Sequence, residues 1–251
     1  MTIDNDFIIR EQDDLLQLVF KKAPDAVQSA IVKSAPQRLV MQNLQYLMGI
    51  LLFIEAPQKI LLLGVGAGSL LHFLRFHFPD SHITGIDLDE GLLQFAQREM
   101  HLPAADERLD YVIDDARAFV ENSNTHYDLI AVDIFDGSQT PAWVLSLDFT
   151  RALQRSLSSK GAVAYNLLIN SERGFEQFYG QLRRVFNRQT LCLEAQQYAN
   201  ILLYGLNFNA AEKSMEELLH AALQAENRFQ LPFHQMLSVI FNINPQGEGV
   251  I

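Results

Sequence analysis

The sequence predicts an α/β fold with a Rossmann-like, doubly wound and mostly parallel sheet, a small N-terminal β unit and a helical C-terminal tail. From Lys59 onward, short β-branched or leucine-rich runs alternate with amphipathic segments of helix length, which is typical of successive βαβ units. Before Lys59, the stretch FIIREQDDLLQLVFKKAPDAVQSAIVK alternates apolar and polar residues between turn-like segments, which is typical of antiparallel strands. We therefore expect three regions, at residues 1–55, 56–209 and 210–251.

The central region contains seven predicted strands and the helices between them. The strands are expected at residues 59–63, 82–87, 108–113, 128–133, 161–168, 190–194 and 200–206. The helices are expected to begin near Ser69, Asp89, Ala116, Pro141 and Ser171. Asp or Ser at several of these starts can accept hydrogen bonds from the exposed amides of the first helical turn.

The two flanking regions are predicted from the same patterns. Two or three strands of the N-terminal unit precede a helix at about residues 37–54. The C-terminal tail contains a helix within residues 210–229 and a shorter amphipathic segment at residues 232–241. We expect the tail to pack on the sheet or on a second subunit, so a homodimer is possible.

Composition excludes several classes of protein. The 251 residues are 49% hydrophobic and 20% charged, which excludes disordered, collagen-like and coiled-coil chains. Cys192 is the single cysteine and allows no internal disulfide, which fits a reducing compartment. The longest apolar run, residues 46–54, is too short for a bilayer core of about 30 Å, and the N-terminus lacks the features of a signal peptide. We expect a cytoplasmic protein that does not bind membranes.

The net charge and the spacing of the histidines argue against nucleic acid and metal ions as ligands. The formal net charge of −11 repels phosphate backbones, so nucleic acid is not an expected partner. The seven histidines do not follow the H-x-x-x-H or H-E-x-x-H spacing of helical zinc sites, so no metal is expected.

A glycine-rich turn follows the first strand of the predicted sheet. The strand continues directly into Gly64-Val65-Gly66-Ala67-Gly68 and then into a helix. Glycines at this place allow a tight bend and bring helix amides close to a ligand. Ser69 stands where a dinucleotide-binding motif needs its third glycine, so NAD is disfavoured. The turn predicts a ligand site, with a tight turn that binds nothing as the alternative.

Acidic residues follow the next three strands. Asp87 ends the second strand, Asp115 follows the third, and Asp133 and Asp136 follow the fourth. A carboxylate at the position of Asp87 can accept hydrogen bonds from both hydroxyls of a ribose. With the strand order 3-2-1-4-5, the glycine turn and Asp133 meet at the switch point where ligands bind. The alternative for any single acid is helix capping.

Four segments together resemble a known family: ILLLGVGAGSL, ITGIDLDEGLLQFAQ, RLDYVIDDARAFV and YDLIAVDIFDGSQTPAWVLSLDFTRAL. They resemble the spermidine synthase group of aminopropyltransferases, whose core is a fold of S-adenosylmethionine-dependent methyltransferases. The resemblance extends over about residues 26–209. It implies a transferase of polyamine biosynthesis that moves an aminopropyl group from decarboxylated S-adenosylmethionine, as co-substrate, to a small amine and releases methylthioadenosine.

The resemblance also implies a role for each matching residue. Gly64, Gly66 and Gly68 would surround the nucleoside, Asp87 would hold the ribose, and Asp115 with the Ala116 amide would bind the adenine edge. Asp133 would be the general base, and Asp136 and Gln28 would bind the amine substrate.

The chain departs from the family pattern at several positions. Ala67 replaces the aspartate that binds the amino group of the aminopropyl arm. Ile134 and Phe135 replace two serines, and Gly137 replaces a proline, which implies a more apolar amine site. Trp143 could line that site, but a buried anchor for the following helix is the favoured interpretation.

Two alternatives to aminopropyl transfer stay open. Ala67 removes an acid that would repel the carboxylate of intact S-adenosylmethionine, which favours methyl transfer. Leu62 argues against it, because methyltransferases commonly carry an acid before the first glycine. The third possibility is a noncatalytic nucleoside-binding protein, against which the presence of both Asp133 and Asp136 argues.

Overall fold

The N-terminal unit is a three-stranded antiparallel sheet. The computed structural model describes residues 7–136, 139–195, 199–210, 214–244 and 249–250, with the backbone alone for residues 23–26. The three strands, β1 (Phe7–Gln12), β2 (Leu15–Phe20) and β3 (Ala23–Val32), pair in the order β1-β2-β3. Leu16 and Leu18 alternate along β2 and are both buried, so one face of this small sheet packs on the rest of the protein.

The helix expected at residues 37–54 is shorter than predicted. Helix α1 spans Gln42–Leu47 and continues as a 3₁₀ helix over Met48–Leu52. The Tyr204 hydroxyl donates a hydrogen bond to the Tyr46 carbonyl. This contact with a residue far away in the chain lies at the turn where the α-helix changes to the tighter 3₁₀ form.

The large sheet confirms the predicted topology. It contains β4 (Lys59–Leu63), β5 (His82–Asp87), β6 (Leu109–Ile113), β7 (Tyr127–Val132), β8 (Leu157–Leu167), β9 (Thr190–Glu194) and β10 (Ile201–Leu206). The spatial order is β6-β5-β4-β7-β8-β10-β9. Strands β6, β5, β4, β7 and β8 are parallel, and β10 runs antiparallel to both of its neighbours. The first five strands thus have the predicted order 3-2-1-4-5.

Helices cover both faces of this sheet. They are α2 (Ser69–His77), α3 (Glu90–Glu99), α4 (Ala116–Asn122), α5 (Leu147–Arg155), α6 (Glu172–Val185), α7 (Met215–Phe229) and α8 (Phe233–Ile243). Alternate residues of β4 belong to separate cores, with Ile60 and Leu62 on one face and Leu61 and Leu63 on the other. This division is what a doubly wound sheet requires. In the described part of the chain, no helix is both long and apolar enough to span a bilayer.

One predicted helix start agrees with the structure, and another does not. Asp89 caps α3 through a hydrogen bond from the Leu92 amide, as its position suggested. The helix expected near Pro141 was placed too early, because α5 begins at Leu147 and Ser146 is its N-cap. Two turns precede it, since the Val144 amide donates to the Pro141 carbonyl and the Ser146 amide to the Trp143 carbonyl.

The C-terminal tail packs against the central region. Phe229, the last residue of α7, contacts the rings of Phe73 and Phe78, and Phe233 is fully buried. The tail therefore completes one of the two cores. The division at residues 55 and 209 into three regions stays a prediction.

Candidate active site

A cavity of about 350 Å³ lies at the carboxyl ends of β4, β5 and β7. The small N-terminal sheet and α1 form its opposite wall through Leu18, Phe20, Gln28, Ser29, Met41, Asn43 and Leu44. Residues from the large sheet and its loops complete the lining: Gly64–Ala67, Ser69, Leu70, Ile86–Asp89, Leu92, Asp114, Ala116, Asp133–Phe135 and Trp143. This is the predicted switch point, closed on one side by the N-terminal unit.

The three glycines of the turn have different structural duties. All three have positive φ, at 88° for Gly64, 55° for Gly66 and 90° for Gly68. A Cβ atom at Gly64 would lie 2.3 Å from the Asp133 carbonyl oxygen, whereas one at Gly66 would meet no atom within 4 Å. Gly64 therefore lets β4 pass close to the end of β7, and Gly66 leaves open space over the cavity. Gly68, the N-cap of α2, does not line the cavity.

Asp87 shapes the glycine turn as well as lining the cavity. Its Oδ2 atom accepts hydrogen bonds from the Val65 amide at 2.9 Å and the Gly66 amide at 3.0 Å, and its Oδ1 accepts from the Asp89 amide at 3.0 Å. Carboxylate oxygens have further acceptor capacity, so the same group can still bind hydroxyls. The link from Asp87 to the turn amides was not foreseen from the sequence.

Asp115 and Ala116, the two residues that the resemblance assigns to adenine binding, differ in whether they line the cavity. Ala116 lines the cavity, together with Asp114. Asp115 instead caps α4, where its Oδ1 accepts hydrogen bonds from the Arg117 amide at 2.8 Å and the Ala118 amide at 3.1 Å. A contact between Asp115 and adenine stays a prediction, and Asp114 is the neighbouring carboxylate on the cavity wall.

Asp133 is a partly buried carboxylate directly beside the glycine turn. Its Oδ1 accepts a hydrogen bond from Asn166 Nδ2 at 2.8 Å, and its backbone amide donates to the Leu63 carbonyl. Burial raises the pKa of the Asp133 carboxyl, the hydrogen bond from Asn166 lowers it and the Asp87 carboxylate raises it, so that the resulting pKa is about 6. Such a group can accept and release a proton near neutral pH.

The two residues predicted to bind the amine also differ in whether they line the cavity. Gln28 lines the cavity from β3, whereas Asp136 is exposed and does not line it. The Asp136 amide donates to the Gln139 carbonyl, and Gly137 lies outside the described residues. The roles of Gln28 and Asp136 in binding an amine stay predictions.

Three side chains form what we call the apolar wall: Ile134, Phe135 and Trp143. These side chains make part of the cavity lining apolar, and their contact with an amine stays a prediction. Trp143 combines the two roles considered for it, since it lines the cavity and also packs edge-on against Phe149 with ring centroids 4.9 Å apart.

Ser29 and Ser69 join the N-terminal sheet to the glycine turn. Their hydroxyls lie 2.7 Å apart, and the Ser69 hydroxyl donates to the Ala30 carbonyl at 3.0 Å. Both side chains are buried. The serine that breaks the dinucleotide motif thus holds β3 against α2, which no sequence pattern had indicated.

The cavity is strongly acidic. Asp87, Asp89, Asp114 and Asp133 line it, and its described lining contains no Lys, Arg or His. Such a site attracts cationic groups and repels phosphates. Nowhere in the described ranges do three or more His, Cys, Asp or Glu side chains form a group that could hold a metal ion.

Comparison with known proteins identifies the family. The family model described as "Spermine/spermidine synthase domain" matches residues 44–171, which is more than half of the chain. The chain belongs to the spermine/spermidine synthase domain family. A polyamine aminopropyltransferase of Neisseria meningitidis serogroup A is 29% identical over 222 residues, covering 88% of this chain and 84% of that protein.

Solved structures agree on the fold. A probable spermidine synthase from Corynebacterium glutamicum superposes with a TM-score of 0.73 at 21% identity, covering 88% of this chain and 82% of that one. Human methyltransferase-like protein 13, in complex with SAH, gives a TM-score of 0.64 at 23% identity and covers 76% of this chain and 90% of its own. The methyltransferase-like Rossmann fold that the resemblance implied is confirmed.

Proposed function

We propose that this member of the spermine/spermidine synthase family transfers an aminopropyl group from decarboxylated S-adenosylmethionine to a small amine and releases methylthioadenosine. The observation that carries the proposal is Asp133, a carboxylate with a pKa of about 6 at the switch point of an acidic cavity. Both substrates are cations, one a sulfonium and one an ammonium, and the charged side chains in the described lining of the cavity are all negative. The Neisseria relative is named for the same transfer.

The nucleoside half of the co-substrate fits the side of the cavity formed by β4, β5 and β6. Gly66 leaves room above the turn, and Asp87 presents acceptors for the ribose hydroxyls. Asp114 and Ala116 lie at the carboxyl end of β6, where the adenine edge would be bound. We infer that the sulfonium would then lie between the glycine turn and Asp133.

The chemical step needs a neutral amine in line with the carbon–sulfur bond. A free alkylamine has a pKa near 10 and is mostly protonated at neutral pH. Asp133 accepts its proton, the amine nitrogen forms a bond to the methylene carbon next to sulfur, and the electrons of the broken carbon–sulfur bond stay on sulfur. The products are an alkylated amine and neutral methylthioadenosine, and the proton on Asp133 then passes to solvent.

The apolar wall suits the methylene chain of an aliphatic amine. Ile134, Phe135 and Trp143 line the same cavity as Asp133, so an ammonium held by Asp133 would have apolar side chains available for its carbon chain. Gln28, which lines the cavity, would bind the far end of the amine. The binding role of Asp136, which does not line the cavity, stays a prediction. The cytoplasmic location and the homodimer expected from the sequence stay predictions.

Methyl transfer from intact S-adenosylmethionine is the second candidate. It is favoured by Ala67, which is buried in the cavity wall where the family has an aspartate. Without that aspartate, the cavity lacks the acid that would bind the amino group of the aminopropyl arm and repel the carboxylate of the intact compound. The two candidates differ in which sulfonium compound binds more tightly.

Calorimetry with decarboxylated S-adenosylmethionine, intact S-adenosylmethionine and methylthioadenosine separates these functions. We expect the decarboxylated compound to bind more tightly than the intact one. The reverse preference would select methyl transfer, and binding of none of the three would leave a protein without this ligand site.

A transfer assay with aliphatic diamines then tests Asp133. Asp133→Asn keeps the shape and one acceptor oxygen but removes the base, so we expect turnover to fall by roughly 10² to 10⁴ with methylthioadenosine binding little changed. Asp128→Asn is the matched control. Asp128 lies near the start of β7, whereas Asp133 follows its end. The Asp128 carboxylate accepts hydrogen bonds from the amides of Gln58 and Lys59. Full activity of Asp133→Asn would overturn the base assignment.

A further inference from the structure

We propose that Asn200 and Asn166 are positioning residues that hold the Asp133 carboxylate in the orientation needed to accept a proton from the substrate amine. The proposal rests on the function proposed above. It assigns a role to two side chains that do not line the cavity and act on the reaction only through Asp133.

The three side chains form a directed chain of hydrogen bonds. Asn200 Nδ2 donates to Asn166 Oδ1 at 2.8 Å, and Asn166 Nδ2 donates to Asp133 Oδ1 at 2.8 Å. An asparagine amide has its oxygen on one side and its NH₂ group on the other. Because Asn200 occupies the oxygen of Asn166, the NH₂ group of Asn166 must face Asp133.

The direction of these hydrogen bonds affects the protonation and the orientation of the Asp133 carboxylate. A donor facing one carboxylate oxygen favours the ionised form of the group, which is the form that accepts a proton. It also fixes the rotation of the carboxylate, so that Oδ2 is left for the substrate. If the amide of Asn166 were turned over, its carbonyl would face Asp133 and favour the protonated form instead.

Both amides are buried well enough to make the arrangement rigid. Asn166 on β8 is 1% exposed, and Asn200, which directly precedes β10, is 7% exposed. The Asn200 carbonyl accepts a hydrogen bond from the Ala195 amide at 3.3 Å, which holds its backbone. Backbone hydrogen bonds already join β8 and β10 over residues 162–167 and 201–206, so the strands do not depend on the two side chains for their pairing.

The other ionisable side chains in the described lining of the cavity are all acids. Asp87 lies across the glycine turn and raises the pKa of Asp133, and Asp89 and Asp114 line the same cavity. The described lining contains no Lys, Arg or His. Asn166 is therefore the described side chain that favours the ionised form of Asp133, and its own orientation depends on Asn200.

The experiment titrates Asp133 directly in the substrate-free protein. Carboxyl resonances of ¹³C-labelled parent protein are followed against pH by NMR, and the Asp133 signal is assigned by its absence from Asp133→Asn. The same titration is repeated on Asn200→Ala, Asn200→Asp and Asn166→Leu. Each variant that folds is also assayed for the pH dependence of kcat.

We expect the midpoint of the Asp133 titration to rise by about half a unit or more in Asn200→Ala, because the Asn166 amide is then free to turn over. Asn200→Asp has the same shape but cannot donate when ionised. The Asn166 NH₂ group should therefore turn toward residue 200, and we expect a larger rise. The acid limb of the kcat profile should move upward by the same amount in each variant.

Asn244→Ala is the matched control. Asn244 is a buried asparagine whose side chain bonds the backbone of Cys192 at 2.8 Å, far from Asp133 along the sheet. Its replacement should lower stability and leave the titration of Asp133 unchanged. If Asn166→Leu fails to fold, the two Asn200 variants decide the matter, since Asn200 lies one step further from the cavity.

An unchanged midpoint in both Asn200 variants would overturn the proposal, whether or not their activity fell. A rise in KM with an unchanged titration would show that Asn166 contacts the substrate instead, which also overturns it. The titration needs no turnover, so a parent protein without transferase activity but with the expected shifts would refute the proposed function and support the positioning role.

Discussion

Replacing Asp133 with asparagine should make the folded protein more stable at pH 7.5. Burial is the main cause that raises the pKa of Asp133 to about 6 in the folded protein, whereas an aspartate in an unfolded chain has a pKa of about 3.9. The folded state therefore binds this proton more tightly than the unfolded state. By linkage, the Asp133 carboxylate lowers the free energy of unfolding as the pH rises from about 4 through 6, and the loss is nearly complete above about pH 7.

The magnitude follows from the difference between the two pKa values. One unit corresponds to about 1.4 kcal/mol, so Asp133 destabilises the fold by about 2 to 3 kcal/mol at pH 7.5. Asparagine has nearly the same volume and keeps an oxygen that accepts the hydrogen bond from Asn166 Nδ2. Asp133→Asn should therefore recover most of this free energy, and its advantage over the parent should fall below about 1 kcal/mol at pH 4.5.

Urea unfolding at pH 4.5, 5.5, 6.5 and 7.5 measures this difference. The parent, Asp133→Asn and Asp128→Asn are compared under the same ionic strength, with Asp128→Asn as a strand-end carboxylate outside the cavity. The reasoning is refuted if Asp133→Asn is no more stable than the parent at pH 7.5. It is also refuted if the advantage is the same at every pH, because a constant gain would come from packing rather than from a proton.

Two further predictions concern the glycine turn and Asp87. Gly64→Ala should lower the free energy of unfolding by more than about 2 kcal/mol, because a Cβ atom would meet the Asp133 carbonyl oxygen at 2.3 Å and φ is +88°. Gly66→Ala, with open space around its Cβ, should lower it by only about 1 kcal/mol. Equal losses of the two variants in urea unfolding would contradict the geometry. Asp87→Ala should weaken the binding of methylthioadenosine, measured by calorimetry, at least about tenfold. The variant removes acceptors for the ribose hydroxyls and for the Val65 and Gly66 amides. Unchanged affinity in a folded variant would exclude the ribose contact.

The parts of the fold that could be predicted are those encoded by short, regular signals. The strands at Lys59–Leu63, His82–Asp87 and Thr190–Glu194 have the predicted bounds, because each is a brief apolar run between clear breaks. The order 3-2-1-4-5 of the parallel strands is one expected for a doubly wound sheet built from successive βαβ units. The glycine turn and the first acid after β7 then had to lie together.

The parts that could not be predicted depend on contacts between distant residues. Helix α1 becomes a 3₁₀ helix where the Tyr204 hydroxyl bonds the Tyr46 carbonyl, 158 residues away. Asp115 and Asp136 follow their strands as expected, yet neither lines the cavity. Which carboxylate of such a loop faces the ligand is decided by capping bonds and turn geometry, not by its place after a strand.

The unfavourable environment of Asp133 and its proposed function have a common cause. The cavity brings four carboxylates together without a lysine, arginine or histidine in its described lining. Burial of Asp133, with a smaller contribution from the Asp87 carboxylate, raises its pKa to about 6. A bound sulfonium supplies the missing positive charge, so it should lower the pKa of Asp133 and release a proton from it when it binds near pH 6. On the function proposed above, the incoming ammonium would then meet an ionised carboxylate that is held by Asn166. We therefore expect the co-substrate to bind before the amine.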